Sequence, residues 1–153
     1  MMAFTNEDIR AIVGEGEFHD PDAVDYIAKV LELRRDAIGR AWFALVLPLE
    51  HFRIADNHLK FDNLAVQYGF SEPGRYKFTW FVWHNDAQKA EDLANSDSSA
   101  LPGTLTSLSA GSYIGCRIVG EHAEGKPVIV YFRSEGGNWK LVGISRTAAG
   151  GLS

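Results

Sequence analysis

The first residues of the chain carry the signals of a short amphipathic helix. Thr5 is followed three residues later by Asp8, which is the spacing of a capping box. In this motif the side chain of each residue accepts a hydrogen bond from the backbone N–H of the other. Gly14 ends the apolar pattern, as glycine commonly does after the last helical turn. The pattern predicts one short helix, with a buried stripe made of Ile9, Ile12 and Val13.

A longer amphipathic helix is predicted from residue 20 onward. Asp20 is a good N-cap, and Pro21 suits the first helical position. Pro48 disfavours helical backbone at the residue before it, so we expect the helix to end near Val46. Apolar residues three, four or seven apart define its buried stripe: Val24, Ile27, Leu31, Ile38, Trp42 and Leu45.

From His51 the apolar residues recur at every second position, which is typical of strands. Two such runs flank Asp56-Asn57, residues that tolerate the positive φ of a tight hairpin turn. The next run, Arg75 to Trp83, is apolar on both faces and therefore predicts a central strand.

The second half of the chain predicts a long connection followed by a strand meander. We expect residues 84–111 to form a long connection on the surface. Within it, Ala87 to Ala94 has the composition of a short helix. Short glycine-bearing links then join three strands, which demands antiparallel pairing: Tyr113 to Val119, Pro127 to Arg133 and Asn138 to Ser145.

These elements together predict an α+β fold. Two N-terminal helices would pack on a six- or seven-stranded antiparallel, β-sandwich-like sheet system. The alternative is a curved sheet that wraps the long helix, as in ketosteroid-isomerase-like cones, which would enclose a pocket. We expect residues 1–146 to form a single domain and residues 147–153 to form a flexible tail.

Composition narrows the classes of function. The chain has 153 residues, and 15 basic against 20 acidic residues give a net charge of -5, which disfavours nucleic acid as a partner. Its one cysteine excludes an internal disulfide. No signal peptide or membrane segment is expected on this chain, no metal site or cofactor is predicted, and the compartment stays open.

Two segments, Arg34 to Trp42 and Val128 to Arg146, resemble the C-terminal portion of larger uncharacterised bacterial proteins. No activity follows from this resemblance. It implies that the chain is a module of a longer polypeptide, so that other domains of that polypeptide are possible partners.

His84 and Asp86 are the best catalytic candidates in the sequence. They end the most aromatic strand and, if extended geometry continues, project on the same face as an acid–base pair. Tyr26 is a possible assisting residue. Histidine, asparagine and aspartate are also common turn formers at strand ends, and this structural reading is favoured.

Aromatic residues offer a second candidate site. Tryptophans Trp80, Trp83 and Trp139, with Tyr76 and the basic residues Arg75 and Lys77 nearby, could form a platform on which bases or sugars stack. The same aromatic side chains could simply fill a core, which is the favoured reading.

Two further motifs have simple structural explanations. Gly120 to Lys126 matches the first seven positions of a phosphate-binding loop, but Pro127 replaces the hydroxyl residue that the motif requires, so a hairpin turn is favoured. Cys116 alternates with Ile114 and Ile118, which predicts a buried thiol of raised pKa.

No residue set satisfies the chemistry of a known reaction class, so the first hypothesis is a non-enzymatic accessory or protein-interaction module with a filled core and no polar-lined cavity. The second is a small-molecule-binding or lyase/isomerase-type enzyme, with His84 and Asp86 facing a cavity of about 300 Å³ or more. The third is carbohydrate or peptide recognition by exposed tryptophans.

Overall fold

A computed structural model describes residues 2, 4–121 and 126–146. Within them the chain forms four helices and seven strands, in the order α1 (Asn6–Gly14), α2 (Pro21–Leu45), β1 (Leu49–Ala55), β2 (His58–Asn63), α3 (Leu64–Gln67), β3 (Tyr76–His84), β4 (Lys89–Ser96), α4 (Gly103–Thr106), β5 (Tyr113–Gly120), β6 (Val128–Glu135) and β7 (Asn138–Ser145). The predicted α+β class with two N-terminal helices is confirmed.

The chain divides into two compact units, Met1–Ala44 and Leu45–Ser153. In the first unit, the side chain of Thr5 accepts from the backbone N–H of Asp8 and completes the predicted capping box. The helices α1 and α2 bury a small cluster around Ile9, Val13 and Ala28. Ile12 is 59% exposed, so its predicted burial is wrong, because α1 turns only the Ile9–Val13 edge inward.

Arg35 joins the start of the chain to α2 within this first unit. Its guanidinium donates to the carbonyl oxygen of Phe4 at 2.7 Å and to Oδ1 of Asn6 at 2.8 Å. It also forms an ion pair with its neighbour Asp36 at 2.8 Å.

The second unit contains two antiparallel sheets. The hairpin β1–β2 turns at Asp56 and Asn57, which both have positive φ, as the sequence predicts. The other sheet has the order β4-β3-β5-β6-β7, so β3 is an inner strand and β4 and β7 are its two edges. Seven strands, all paired antiparallel in the described residues, agree with the sequence-based count.

The main core of the second unit lies on one face of the five-stranded sheet. Leu49, Phe52 and Leu59 of the hairpin pack there against inward residues of the sheet, which are Phe78, Trp80, Ile114, Cys116, Ile118, Val128, Val130 and Phe132. The opposite face carries Phe81 and Tyr131, whose rings meet edge to face at 5.8 Å. Both faces of β3 are therefore apolar, as predicted.

The predicted surface connection over residues 84–111, with helical composition over Ala87 to Ala94, is wrong in part, because residues 89–96 form strand β4. Asn85 to Gln88 form the turn that reverses the chain after β3, and β4 then pairs with β3 from His84↔Lys89 to Phe78↔Ser96. A stretch of good helical composition but only eight residues has little helical stability alone, so ladder hydrogen bonds along the edge of β3 decide its structure. Residues 147–153, predicted as a tail, lie outside the described residues.

Candidate functional site

The candidate site is a groove between β2 and the first half of β3. Strand β4 pairs with β3 only as far as Phe78↔Ser96. The chain then leaves β3 and crosses to β2, where the backbone N–H of Leu59 donates to the carbonyl oxygen of Ser99 at 2.9 Å. The departure of β4 leaves a depression of about 980 Å³, whose walls are β2, residues 74–78, residues 97–99 and the end of β5.

Aromatic rings form the floor of this depression. Phe61 of β2 meets the ring of Tyr76 edge to face, with centroids 5.2 Å apart, and lies 6.2 Å from the ring of Phe78. Phe61 and Tyr76 are half-buried, whereas Phe78 belongs to the core. The floor therefore offers apolar surface that is continuous with the core of the second unit.

Asn63 fixes the position of Tyr76. Its side-chain oxygen caps the short helix α3 by accepting from the backbone N–H groups of Ala65 and Val66, and its Nδ2 donates to the hydroxyl oxygen of Tyr76 at 2.8 Å. One amide side chain thus connects the end of β2, the start of α3 and the aromatic floor. The hydroxyl of Tyr76 is therefore positioned by a side chain from the neighbouring hairpin.

Charged side chains of both signs form the rim. Lys60, Arg75 and Lys77 supply positive charge, and Asp97 and Glu121 supply negative charge. Lys60 is already paired with Asp56 at 2.5 Å, and the hydrogen bond from this ammonium lowers the pKa of the Asp56 carboxyl. Arg75 and Lys77 are exposed and form no ion pair with a described residue. Two cations on the rim are therefore free to meet a ligand.

A second, shallower depression of about 520 Å³ continues the first along β2. The two depressions share Phe61, Gly74 and Tyr76, so together they form one elongated groove, here called the β2–β3 groove. The far end of this groove is lined by polar side chains, including Asn63 and Gln67. An elongated shape with an aromatic middle suits an extended ligand better than a compact one.

The groove also contains an unpaired piece of strand edge. The carbonyl oxygen of Arg75 accepts from the N–H of Glu121, the residue that follows β5, at 3.0 Å. Because successive residues of a strand direct their backbone groups to opposite sides, the N–H and C=O of Tyr76 point to the side that β4 occupies. The β4 ladder ends at Phe78, so in the described residues Tyr76 has no strand partner on that side.

The two main catalytic candidates lie at the opposite end of β3 from the groove. His84 ends β3 and is exposed, with its Nε2 3.1 Å from Oε2 of Glu91 on the neighbouring strand. Asp86 lies in the following turn and is also exposed. Tyr26 lies on α2 in the first unit and is 72% exposed. None of the three lines the β2–β3 groove.

The predicted tryptophan platform is not assembled by the fold. Trp80 is fully buried in the core, so its candidacy as an exposed binding residue is wrong. Trp139 packs against the same core, whereas Trp83 lies on the other face of the sheet, with its ring 5.8 Å from that of Tyr131. Alternation along β3 places Trp80 and Trp83 on opposite faces. Of the residues predicted for the platform, Arg75, Tyr76 and Lys77 line the groove, and none of the three tryptophans does.

Two other features of the sequence have structural explanations. Cys116 is buried in the core, and this burial raises the pKa of its thiol, as predicted. In the phosphate-loop-like segment, Gly120 ends β5, while residues 122–125 lie outside the described residues. The element that follows this segment is strand β6, whereas a phosphate-binding loop is followed by a helix whose N-terminus faces the phosphate.

Sequence reasoning missed Lys60 and Phe61 as members of the site. Both belong to the predicted hairpin, whose alternation shows which residues face inward but not which strand of the large sheet lies beside them. The signal that was available is the cluster of Arg75, Tyr76 and Lys77, where basic residues flank an aromatic one.

Within the described residues, no group of three or more histidine, cysteine, aspartate or glutamate side chains is placed to hold a metal ion. None of the helices in the described part combines the length and apolar character needed to cross a bilayer. No protein-family model, no curated protein and no solved structure matches this chain. The argument for function therefore depends on the groove itself.

Proposed function

We propose that this protein is a non-enzymatic interaction module that recognises an extended peptide segment of a partner polypeptide in the β2–β3 groove. The observation that carries the proposal is an aromatic floor, formed by Phe61 and Tyr76, inside a rim of exposed charged side chains. Protein interfaces have this anatomy, with an apolar and aromatic centre surrounded by polar groups.

The charge of the rim distinguishes a peptide from a polyanion. Three cations and two carboxylates line the larger depression, so the rim carries charges of both signs. A nucleic acid would require a surface dominated by cations, and the net charge of -5 opposes it further. A peptide can present charges of both signs together with apolar side chains, which fits a mixed rim.

The lining of the groove favours recognition over catalysis. The described residues that line both depressions include no histidine or cysteine, and the carboxylates there, which include Asp97 and Glu121, are exposed. Catalytic acids and bases usually require partial burial and a positioned partner. The sequence-based expectation of no polar-lined cavity is wrong, because β4 leaves β3 early and opens one, but this cavity has the character of a recognition surface.

We further propose that the chain is a module of a longer polypeptide, as the resemblance of Arg34 to Trp42 and Val128 to Arg146 to the C-terminal portion of larger bacterial proteins implies. An interaction module within a longer polypeptide would bring that polypeptide to a partner, or would hold one of its own segments. Binding through main-chain and aromatic contacts needs no cofactor.

Selection from a random library of displayed ten-residue peptides tests this proposal. We expect the library to yield binders, and synthetic copies of them to bind Arg75→Glu and Lys77→Glu variants at least about fivefold more weakly, since each variant changes the charge of the rim. Lys89→Glu is the matched control. Lys89 is also an exposed lysine, but it begins β4 and lies opposite His84, at the end of β3 that is far from the groove.

Two results would overturn the proposal. One is a library that yields no binder. The other is a set of binders whose affinity responds to Lys89→Glu as strongly as to Arg75→Glu and Lys77→Glu, since that would place the recognition surface elsewhere.

A further inference from the structure

We infer that the peptide binds as an added antiparallel strand beside Tyr76, and that it carries an apolar residue flanked on each side by an acidic residue. This inference rests on the proposed function, because it names the conformation and the chemistry of the ligand in the same groove. It follows from the register of the sheet around β3.

The first step is the unpaired backbone of Tyr76. Its N–H and C=O point toward the track of β4, and β4 has already left that track after Ser96. An extended segment placed there would continue the five-stranded sheet past the point where β4 departs. Addition of a strand to a sheet edge is a common mode of peptide recognition, in which main-chain hydrogen bonds supply much of the affinity.

The second step is the choice of this edge over the free edge of β4. Most residues of β4 are exposed, and its pairing with β3 contains a bulge between Trp80 and Phe81. Glu91 and Asp92 also place two adjacent negative charges on β4. Bulges and charges protect an edge against strand addition. The Tyr76 edge has no bulge, and its two flanking charges, Arg75 and Lys77, are positive and therefore match an acidic ligand. It also lies beside the half-buried aromatic rings of the floor.

The third step is the side-chain pattern that the ligand must have. A peptide residue directly opposite Tyr76 places its side chain on the same face as Tyr76, over the aromatic floor with Phe61. Its two neighbours lie opposite Arg75 and Lys77 and place their side chains on the other face, beside these two cations. The ligand therefore has an apolar residue between two acidic residues.

Two carboxylates near the groove weaken the preference for acidic ligand residues but do not reverse it. Glu121 pairs with Arg75 from the β5 side of β3, whereas the peptide approaches from the β4 side. Asp97 follows Ser96 at the point where β4 departs, so it lies nearest to the acidic residue opposite Lys77. We therefore expect Asp97→Asn to tighten the binding of a peptide with this pattern by about twofold to fivefold.

The experiment uses one synthetic peptide and its N-methylated forms with the full-length chain. The peptide is acetyl-Glu-Val-Glu-Ser-Gly-Ser-amide, and binding is followed by heteronuclear NMR titration. It begins with the residue opposite Lys77, because Ser96 already occupies the position opposite Phe78. In an antiparallel pair the central valine exchanges both of its backbone hydrogen bonds with Tyr76. N-methylation of that valine is expected to weaken binding by about tenfold or more, because it removes a hydrogen bond and adds a clash.

N-methylation of the second glutamate is the matched control. Its N–H points away from β3, so we expect its affinity to stay within about twofold of that of the parent peptide. Replacement of both glutamates by lysine is expected to abolish detectable binding. A beta-linked oligosaccharide, cellohexaose, serves as the carbohydrate probe and is expected not to bind.

Each alternative result has a definite meaning. Equal affinities of the two N-methylated peptides would overturn strand addition, and equal binding of the lysine peptide would overturn the acidic pattern. If the parent peptide does not bind but library-selected peptides do, this inference fails while the proposed function stands. If neither binds, or if cellohexaose alone occupies the groove, the proposed function fails as well.

Discussion

The ring of Phe61 stands edge-on to the ring of Tyr76, with centroids 5.2 Å apart and planes at 89°. This pair joins the two-stranded hairpin to the five-stranded sheet at the floor of the groove. Its geometry depends on the hydroxyl of Tyr76, which accepts a hydrogen bond from Asn63 Nδ2 at 2.8 Å.

The first prediction concerns that hydroxyl. Tyr76→Phe keeps the ring but removes the acceptor of Asn63, so we expect the free energy of unfolding to fall by about 1 kcal/mol, the usual net value of such a bond. Urea denaturation measures this change. Because backbone groups and the ring remain, peptide affinity should change by less than about threefold. An unchanged midpoint would show that Asn63 does not support the floor.

The second prediction concerns close packing on the outer face of the sheet. Phe81 lies directly over Gly115 on the next strand, and a Cβ at position 115 would come within 2.1 Å of Cζ of Phe81. We expect Gly115→Ala to destabilise the protein by about 1–3 kcal/mol, because a packed core absorbs an extra methyl poorly.

Gly143→Ala is the control for this test. Tyr131 lies over Gly143 in the same way, but its nearest ring atom would be 3.5 Å from an added Cβ, which is ordinary contact. We expect that variant to be neutral within about 0.5 kcal/mol or slightly stabilising, since alanine restricts the unfolded chain. Equal effects of the two substitutions would contradict the packing of Phe81 on Gly115.

The third prediction concerns Cys116. Burial raises the pKa of its thiol, so the folded protein retains this proton at pH values where the unfolded chain releases it. Stability is therefore unaffected by this group below the ordinary thiol pKa of about 8.5 and decreases as the pH rises above it. Comparison with Cys116→Ala isolates this contribution from those of tyrosine and lysine.

Thiol accessibility provides an independent check on Cys116. We expect the native protein to resist a disulfide reagent and to react fully only in denaturant, because the side chain is buried. Rapid labelling of the native protein, or identical pH profiles for the wild type and Cys116→Ala, would contradict the position of this residue in the core.

The fourth prediction concerns the start of α1. Hydrogen bonds from the backbone and then the side chain of Thr5 lower the pKa of the Asp8 carboxyl. A lowered pKa means that the capping box stabilises the helix above the ordinary carboxyl range and loses this effect as the pH falls through the pKa of the folded state. Thr5→Ala keeps the backbone donor but removes the hydroxyl.

We expect Thr5→Ala to raise the pKa of Asp8 partway toward its ordinary value, as measured by NMR titration of its side-chain carboxyl. The same substitution should speed amide exchange in the first turn of α1, because the N–H of Asp8 loses its acceptor. An unaltered titration curve would show that the capping box is not formed in solution.

The sequence predicts well those elements that local chemistry determines. The capping box at Thr5, the end of α2 before Pro48, and the turn at Asp56-Asn57 each depend on residues close together in the chain. Strand β4 is different, because its residues favour a helix locally and become a strand only through pairing with β3. That pairing depends on the partner edge, which a local pattern does not contain.

The groove could be predicted only in part for the same reason. Arg75 and its neighbours are visible as a basic and aromatic cluster in the sequence. Their partnership with Lys60 and Phe61 depends on how the hairpin stacks on the large sheet, and the opening depends on where β4 ends. Trp80 is the opposite case, a predicted binding residue that does not reach the groove. Its aromatic character makes it a candidate for a binding surface, but its side chain lies on the inner face of β3 and is buried in the core.

The most direct test of the account is a map of backbone amide chemical shifts as a library-selected peptide is titrated into the full chain. The account predicts that the largest changes fall on residues 60–63, 74–78 and 97–99, and that His84 and Lys89 at the other end of β3 stay unchanged. Changes centred on His84 and Glu91, with the β2–β3 groove unaffected, would contradict it.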